Sequence, residues 1–209
     1  MKREFDQEAQ GKFGEDYWTH YAGGRGPCDP DSILSPEEIF GDLAEAGIEL
    51  AGRRVLDLGC GPGLCVKMFR DRGALAFGID ISRTALELAP AEARPFLYHV
   101  DLENLEIFPE RSFDFALHNA AVYLPPEALP AHFRELARIL SGHLYLHVIA
   151  SDHPFFRSLD RERYAFHPGR PTAWWVKTVE EAGFALQKVF SHPGWSWWML
   201  FKRKKEEES

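Results

Sequence analysis

The sequence predicts an α/β protein, a doubly wound, mostly parallel seven-stranded sheet with helices on both faces and an antiparallel hairpin at its C-terminal end. Three observations carry this expectation. From about residue 53 onward, short apolar runs alternate with amphipathic stretches of helical length. The first run leads into a glycine-rich turn and then a helix pattern, the usual opening of a strand-turn-helix unit. The last two runs are separated by a turn too short to join anything but antiparallel strands.

Taken in order, the first fifty residues lie outside the alternation and are expected to form a helical cover on one edge of the sheet. Strands are expected at Arg54 to Leu58, Ala74 to Ile79, Phe96 to Val100, Phe113 to His118 and His143 to Ala150, several of them apolar enough to be buried on both faces. Between them, Leu64 to Arg72 follows the glycine turn and Ser82 to Glu92 opens on a serine cap. Glu127 to Leu140 carries Leu129, Phe133, Leu136, Ala137 and Leu140 at helical spacing. Strands joined by helices of this length favour right-handed crossovers and hence parallel pairing. The stretch 151–170, rich in His, Phe, Arg and Pro, reads as an insertion beside a binding site. Thr172 to Ala182 reads as a helix stopped by Gly183. Phe184 to Ser191 and Trp195 to Lys202 then flank a His192-Pro193-Gly194 turn, and 203–209 reads as a disordered tail.

Composition narrows the function. A chain of 209 residues, 45% hydrophobic, supports one domain with a core that needs no disulfide or metal. The three cysteines, Cys28, Cys60 and Cys65, lack the spacing of a zinc cluster, and their odd number argues for a reducing, cytoplasmic setting. The N-terminus alternates charged and aromatic residues where a signal peptide needs an apolar stretch, and no run approaches the ~20 apolar residues of a membrane span. With 24 basic against 32 acidic residues the net charge is −8, the wrong sign for neutralising many phosphates, which argues against a nucleic-acid partner.

The segment Val55-Leu56-Asp57-Leu58-Gly59-Cys60-Gly61-Pro62-Gly63 places a ligand at the carboxyl end of the first strand. A dinucleotide site wants G-x-G-x-x-G, with a pyrophosphate on the helix N-terminus. Here the third glycine would fall at Leu64 or Val66. The pattern present is D-x-G-x-G-x-G, and a carboxylate just before the turn repels pyrophosphate and suits a cation. A positively charged nucleoside fits that chemistry.

VLDLGCGPG resembles motif I of the class I, Rossmann-like S-adenosylmethionine-dependent methyltransferases, and the resemblance extends over roughly residues 50 to 200. It implies a methyl transferase whose cofactor is S-adenosylmethionine and whose product is S-adenosylhomocysteine. Asp57, Gly59, Cys60 and Gly61 would clasp the methionine moiety, and Asp80, at the end of the second strand, would accept hydrogen bonds from the ribose hydroxyls. Ile81 would pack on the purine face, while Asp101 and Leu102 would hold the adenine edge. Tyr21, one helical turn from Tyr17, would touch the methionine end, and Asn119 would complete the cofactor set. Phe113-Asp114-Phe115-Ala116-Leu117-His118-Asn119-Ala120 is similar to the family's fourth strand, whose end faces the transferable methyl.

Many small-molecule members show Glu-His-Leu after that strand, where this chain reads Ala121-Val122-Tyr123-Leu124. A general base, where one is needed, would then be His118 or Tyr123. No metal is expected. A small organic acceptor is the leading expectation, with a monomer or homodimer as the assembly. The alternatives are methylation of RNA or protein and a non-catalytic subunit that keeps the fold for partner binding. A nicotinamide-dependent oxidoreductase ranks last, because Leu64 and Val66 stand where glycine is wanted.

Overall fold

All seven expected strands form: β1 (Arg54–Leu58), β2 (Leu75–Asp80), β3 (Leu97–His99), β4 (Phe113–His118), β5 (Leu140–Val148), β6 (Phe184–Ser191) and β7 (Trp197–Arg203). Among the described residues five helices accompany them: α1 (Pro36–Glu45), α2 (Leu64–Asp71), α3 (Arg83–Glu87), α4 (Leu129–Ile139) and α5 (Thr172–Glu181). The computed structural model describes residues 36–148, 150–153, 170–192 and 197–205. The readings of Tyr17 and Tyr21, of the insertion over 154–169, of Trp195 and of residues 206–209 fall outside the described residues, while the start of the expected tail at 203–209 is instead ordered: Arg203 ends β7 and the Lys204 amide donates to the Gly183 carbonyl at 2.9 Å. The strands make one sheet in the order β3-β2-β1-β4-β5-β7-β6. The chain divides into two compact units, one through Asn104 and one from Leu105.

In the first unit, β1 pairs parallel with β2 and β2 with β3, so that Asp57 lies beside Gly78 and Asp80 beside His99. Val55, Leu56 and Leu58 are fully buried, as a strand covered on both faces requires. Helix α2 turns Val66, Met68 and Phe69 inward, and Phe69 meets Phe40 of α1 edge-on at 5.5 Å. Ile39 and Leu43, a turn apart on α1, are buried on the same face.

Two elements of this unit differ from expectation by more than one residue at a boundary. Helix α3 does start at its predicted cap, with the Ser82 hydroxyl accepting from the Ala85 amide at 3.3 Å, but it ends at Glu87 instead of Glu92. Pro90 cannot donate to a helical carbonyl and restricts the residue before it. Strand β3 is three residues long instead of five, because Arg94–Phe96 winds into a 3-10 turn around Pro95 before pairing begins.

In the second unit β4 and β5 run parallel, while β7 pairs antiparallel with both β5 and β6, which is the expected C-terminal hairpin. Strand β5 opens three residues earlier than predicted. Helix α4 passes straight into it, with Leu140 both capping the helix in extended backbone and starting the strand. Leu129, Phe133, Leu136 and Ile139 of α4 are wholly buried. Helix α5 is capped from a distance, since the Asp152 carboxylate accepts from both the amide and the hydroxyl of Thr172 at 2.9 and 2.7 Å.

Candidate functional site

The turn after β1 is built by its glycines and tied down by β2. Gly59, Gly61 and Gly63 have φ of 74°, 52° and 75°, the left-handed region that a side chain resists. The amides of Gly59 and Cys60 both donate to the Ile79 carbonyl, at 2.9 and 3.0 Å. The Gly61 amide donates to Asp80 Oδ2 at 2.8 Å, and that of Gly63 to the Cys60 carbonyl at 2.9 Å. Below the turn, Gly78 of β2 makes the close approach feasible. A Cβ there would stand 2.7 Å from both Cβ and Sγ of Cys60 and 2.8 Å from Val66 Cγ2. Four amides that a pyrophosphate would need are therefore already committed within the protein.

Two carboxylates lie against this turn. Asp57 is buried, and no described residue hydrogen-bonds it. Burial, reinforced by the neighbouring Asp80 charge, lifts its pKa from 3.8 to about 8. Asp80 is also buried, with Oδ2 on the Gly61 amide and Oδ1 on the Ser82 amide at 2.7 Å. Burial raises its pKa too, against the lowering effect of those hydrogen bonds. One acid thus fastens the turn, and the other stands beside it without a hydrogen-bond partner among the described residues. The same burial pushes the Cys60 thiol well above its ordinary pKa, which makes it an apolar filler of the turn and not a nucleophile.

The other first-unit residues singled out by sequence lie nearby in the chain. Ile81 is half-buried, and its carbonyl is 2.9 Å from His99 Nε2. Asp101 does not close a strand as expected. It sits two residues beyond β3, where its Oδ1 accepts from the Glu103 amide at 2.9 Å and shapes a turn, while Leu102 beside it is buried. Tyr21 falls outside the described residues.

In the second unit, His118 ends β4 and is fully buried. Its Nε2 is 2.8 Å from His132 Nε2 on α4, with the ring centroids 5.0 Å apart. One imidazole donates and the other accepts, so each fixes the other's tautomer. Tyr123 lies half-buried in the 3-10 turn Ala121–Tyr123. Asn119 follows His118, and its side-chain Oδ1 is buried without a hydrogen bond.

His147 of β5 was not among the residues the sequence reading put in the site. It is buried and stacked on Trp198 at 5.0 Å, and neither ring nitrogen has a well-formed hydrogen bond. Burial lowers its pKa from 6.5 to about 4, and the nearby Asn119 carbonyl offsets this only in part. The available signal was parity. His118 pairs with Leu146, so His147 belongs to the opposite face of the sheet from His118.

Residues 55–142 match the family model described as a methyltransferase domain. A ubiquinone biosynthesis O-methyltransferase of Alkalilimnicola ehrlichii is 39% identical over 69 residues, 33% of this chain and 28% of that protein. One from Coxiella burnetii is 28% identical over 111 residues, 51% of this chain and 45% of that protein. The chain thus spans less than half the length of the curated relatives it matches. Among solved structures, magnesium protoporphyrin IX methyltransferase from Synechocystis PCC 6803 with bound S-adenosylhomocysteine superposes with a TM-score of 0.70 at 19% identity, covering 95% of this chain and 99% of that one. The Burkholderia thailandensis 1,6-didemethyltoxoflavin-N1-methyltransferase does so with a TM-score of 0.69 at 18% identity, covering 96% of this chain and 91% of that one. Residues 55–142 thus match a methyltransferase-domain model, and the chain has the fold of the class I S-adenosylmethionine-dependent methyltransferases.

Proposed function

We propose that this chain binds S-adenosylmethionine at the turn after β1 and transfers its methyl group to a small organic acceptor. The observation that supports the reading is Asp57, a buried carboxyl with no hydrogen-bond partner among the described residues, beside a turn whose amides are already engaged. Such a group is stabilised by a cation and repels a pyrophosphate. S-adenosylmethionine brings an α-ammonium and a sulfonium. When bound, it supplies a methyl group on an activated centre, which a held nucleophile displaces in line.

The residues of the chain do the holding. Asp57, with Gly59, Cys60 and Gly61, takes the cationic methionine end, and binding draws Asp57 to its charged form with release of a proton. Asp80, fastened to the turn through the Gly61 and Ser82 amides, accepts hydrogen bonds from the ribose hydroxyls. Ile81, Asp101 and Leu102 serve the adenine, and Tyr21 and Asn119 complete the set. Of the two proposed proton acceptors, Tyr123 is the one with exposed surface, while His118 is closed off by His132 and acts by holding the end of β4. The acceptor is a small molecule, and the protein works in the cytoplasm as a monomer or homodimer.

Asp80→Ala should weaken S-adenosylhomocysteine binding tenfold or more in a calorimetric titration, with the circular dichroism of the folded protein unchanged. Unchanged affinity in a folded variant would remove the ribose assignment.

A further inference from the structure

The turn after β2 carries Asp80 and Ile81, and strand β3 holds it from the far side. β3 has three residues and stands at the end of the sheet order, so the pair Asp80 with His99 is the last rung of its ladder with β2. Just beyond that rung the Val100 amide donates to the Asp80 carbonyl at 3.1 Å. The His99 side chain reaches one residue further, with its Nε2 2.9 Å from the Ile81 carbonyl. A carbonyl only accepts, so Nε2 carries the proton and donates. The Ile81 carbonyl and the Ser82 amide belong to one planar peptide unit, and in a trans peptide they point to opposite sides. His99 holds the carbonyl and Asp80 Oδ1 holds the amide, at 2.7 Å, so the plane is pinned at both ends. Asp80 Oδ2 is in turn held by the Gly61 amide at 2.8 Å. His99 is itself exposed. A hydrogen bond in reach of water contributes little net stability, so what this one sets is the conformation of the turn. His99 is also near enough to Asp80 for a charge on its ring to lower that carboxyl's pKa, against the burial that raises it.

We propose that His99 is a positioning residue for the nucleoside of S-adenosylmethionine: its hydrogen bond to the Ile81 carbonyl sets the turn from which Asp80 meets the ribose and Ile81 the adenine. The inference rests on the methyltransferase reading above and adds to it a residue that acts through the turn and not on the ligand. Releasing the Ile81 carbonyl leaves the peptide plane free to tilt. The tilt carries the Ser82 amide away from Asp80 Oδ1, which loosens the carboxylate, and turns the Ile81 side chain with it. Both consequences fall on the nucleoside. The methionine end is held at Asp57 and the glycine turn, which the His99 hydrogen bond does not touch, so its share of the binding is left as it was.

The test is calorimetric titration of the full chain with S-adenosylhomocysteine and with 5′-methylthioadenosine, which carries the nucleoside without the amino-acid end. A glutamine Nε2 reaches about as far from Cβ as the histidine Nε2 and donates to the same carbonyl, whereas the asparagine amide falls one bond short. His99→Ala and His99→Asn should weaken both ligands at least fivefold and by the same factor, while His99→Gln stays within about twofold of the unchanged protein. A role in stability alone would not separate glutamine from asparagine. Equal affinities in the Gln and Asn variants, unchanged affinity in the Ala variant, or a loss confined to S-adenosylhomocysteine overturns the assignment. The Gln–Asn comparison decides it even where His99→Ala lowers the urea midpoint. No binding of either ligand to the unchanged, folded protein overturns the methyltransferase reading itself, so the two failures are distinguishable.

Discussion

Asp57 ties electrostatics to ligand binding at a single residue. Its pKa of about 8 leaves the carboxyl largely protonated near neutrality, and pairing with a cationic methionine end draws it to the charged form. S-adenosylmethionine binding at pH 7 should therefore release a proton. Titration calorimetry in buffers of different ionisation enthalpy measures that release directly, and Asp57→Asn should abolish it and weaken binding. Gly78 makes a second residue-level test. Gly78→Ala puts a methyl 2.7 Å from Cys60, and overpacking of this kind costs about 1–3 kcal/mol, seen as a lower urea midpoint together with weaker cofactor binding. The motif residues were legible because each is a type that few other roles require in that order. The partner of His118 was not legible, since His132 is fourteen residues away and meets it only once α4 has packed.

Between elements, the His118–His132 hydrogen bond joins β4 to α4 inside the core. His132→Leu should lower stability by about 1–3 kcal/mol in urea denaturation, because it removes a hydrogen-bond partner of the buried His118 Nε2. His118→Leu with His132→Leu should cost less than the sum of the single changes, and a double-mutant cycle reads the difference. An additive cycle would mean the bond contributes nothing. Asp152 acts across a longer gap as the cap of α5, and Asp152→Ala should cost about 1 kcal/mol. Strands β1, β4 and β6 were legible to the residue because apolar runs bounded by charge or turn residues leave one solution. Strand β5 was not, since no loop separates it from α4 and Leu140 satisfies both patterns. Pro95 similarly suits a strand edge or a 3-10 turn, and local sequence does not choose between them.

At the scale of the molecule, two buried groups oppose each other in the response of stability to pH. The folded protein holds a proton on Asp57 that the unfolded chain has released, so this contribution is largest at low pH and is lost as pH rises from 3.8 to about 8. His147 has the opposite sign. The unfolded chain binds a proton that the folded one refuses, so stability is lost as pH falls from 6.5 to about 4. Between those limits the two largely cancel. His147→Phe should make stability fall with rising pH from 4.5 to 6, and Asp57→Asn should make it rise, each by up to about 1.4 kcal/mol per pH unit. Urea unfolding across that range checks both slopes. Fold class was legible because alternation, the glycine turn and the short final turn all point to one topology. The sheet face on which His147 lies emerged only from the pairing register. The most direct measurement is calorimetric titration of the folded chain with S-adenosylmethionine, S-adenosylhomocysteine and NAD in parallel. Saturable binding of both adenosyl compounds with none of NAD is the predicted result, and no binding of either adenosyl compound to folded protein would contradict the central claim.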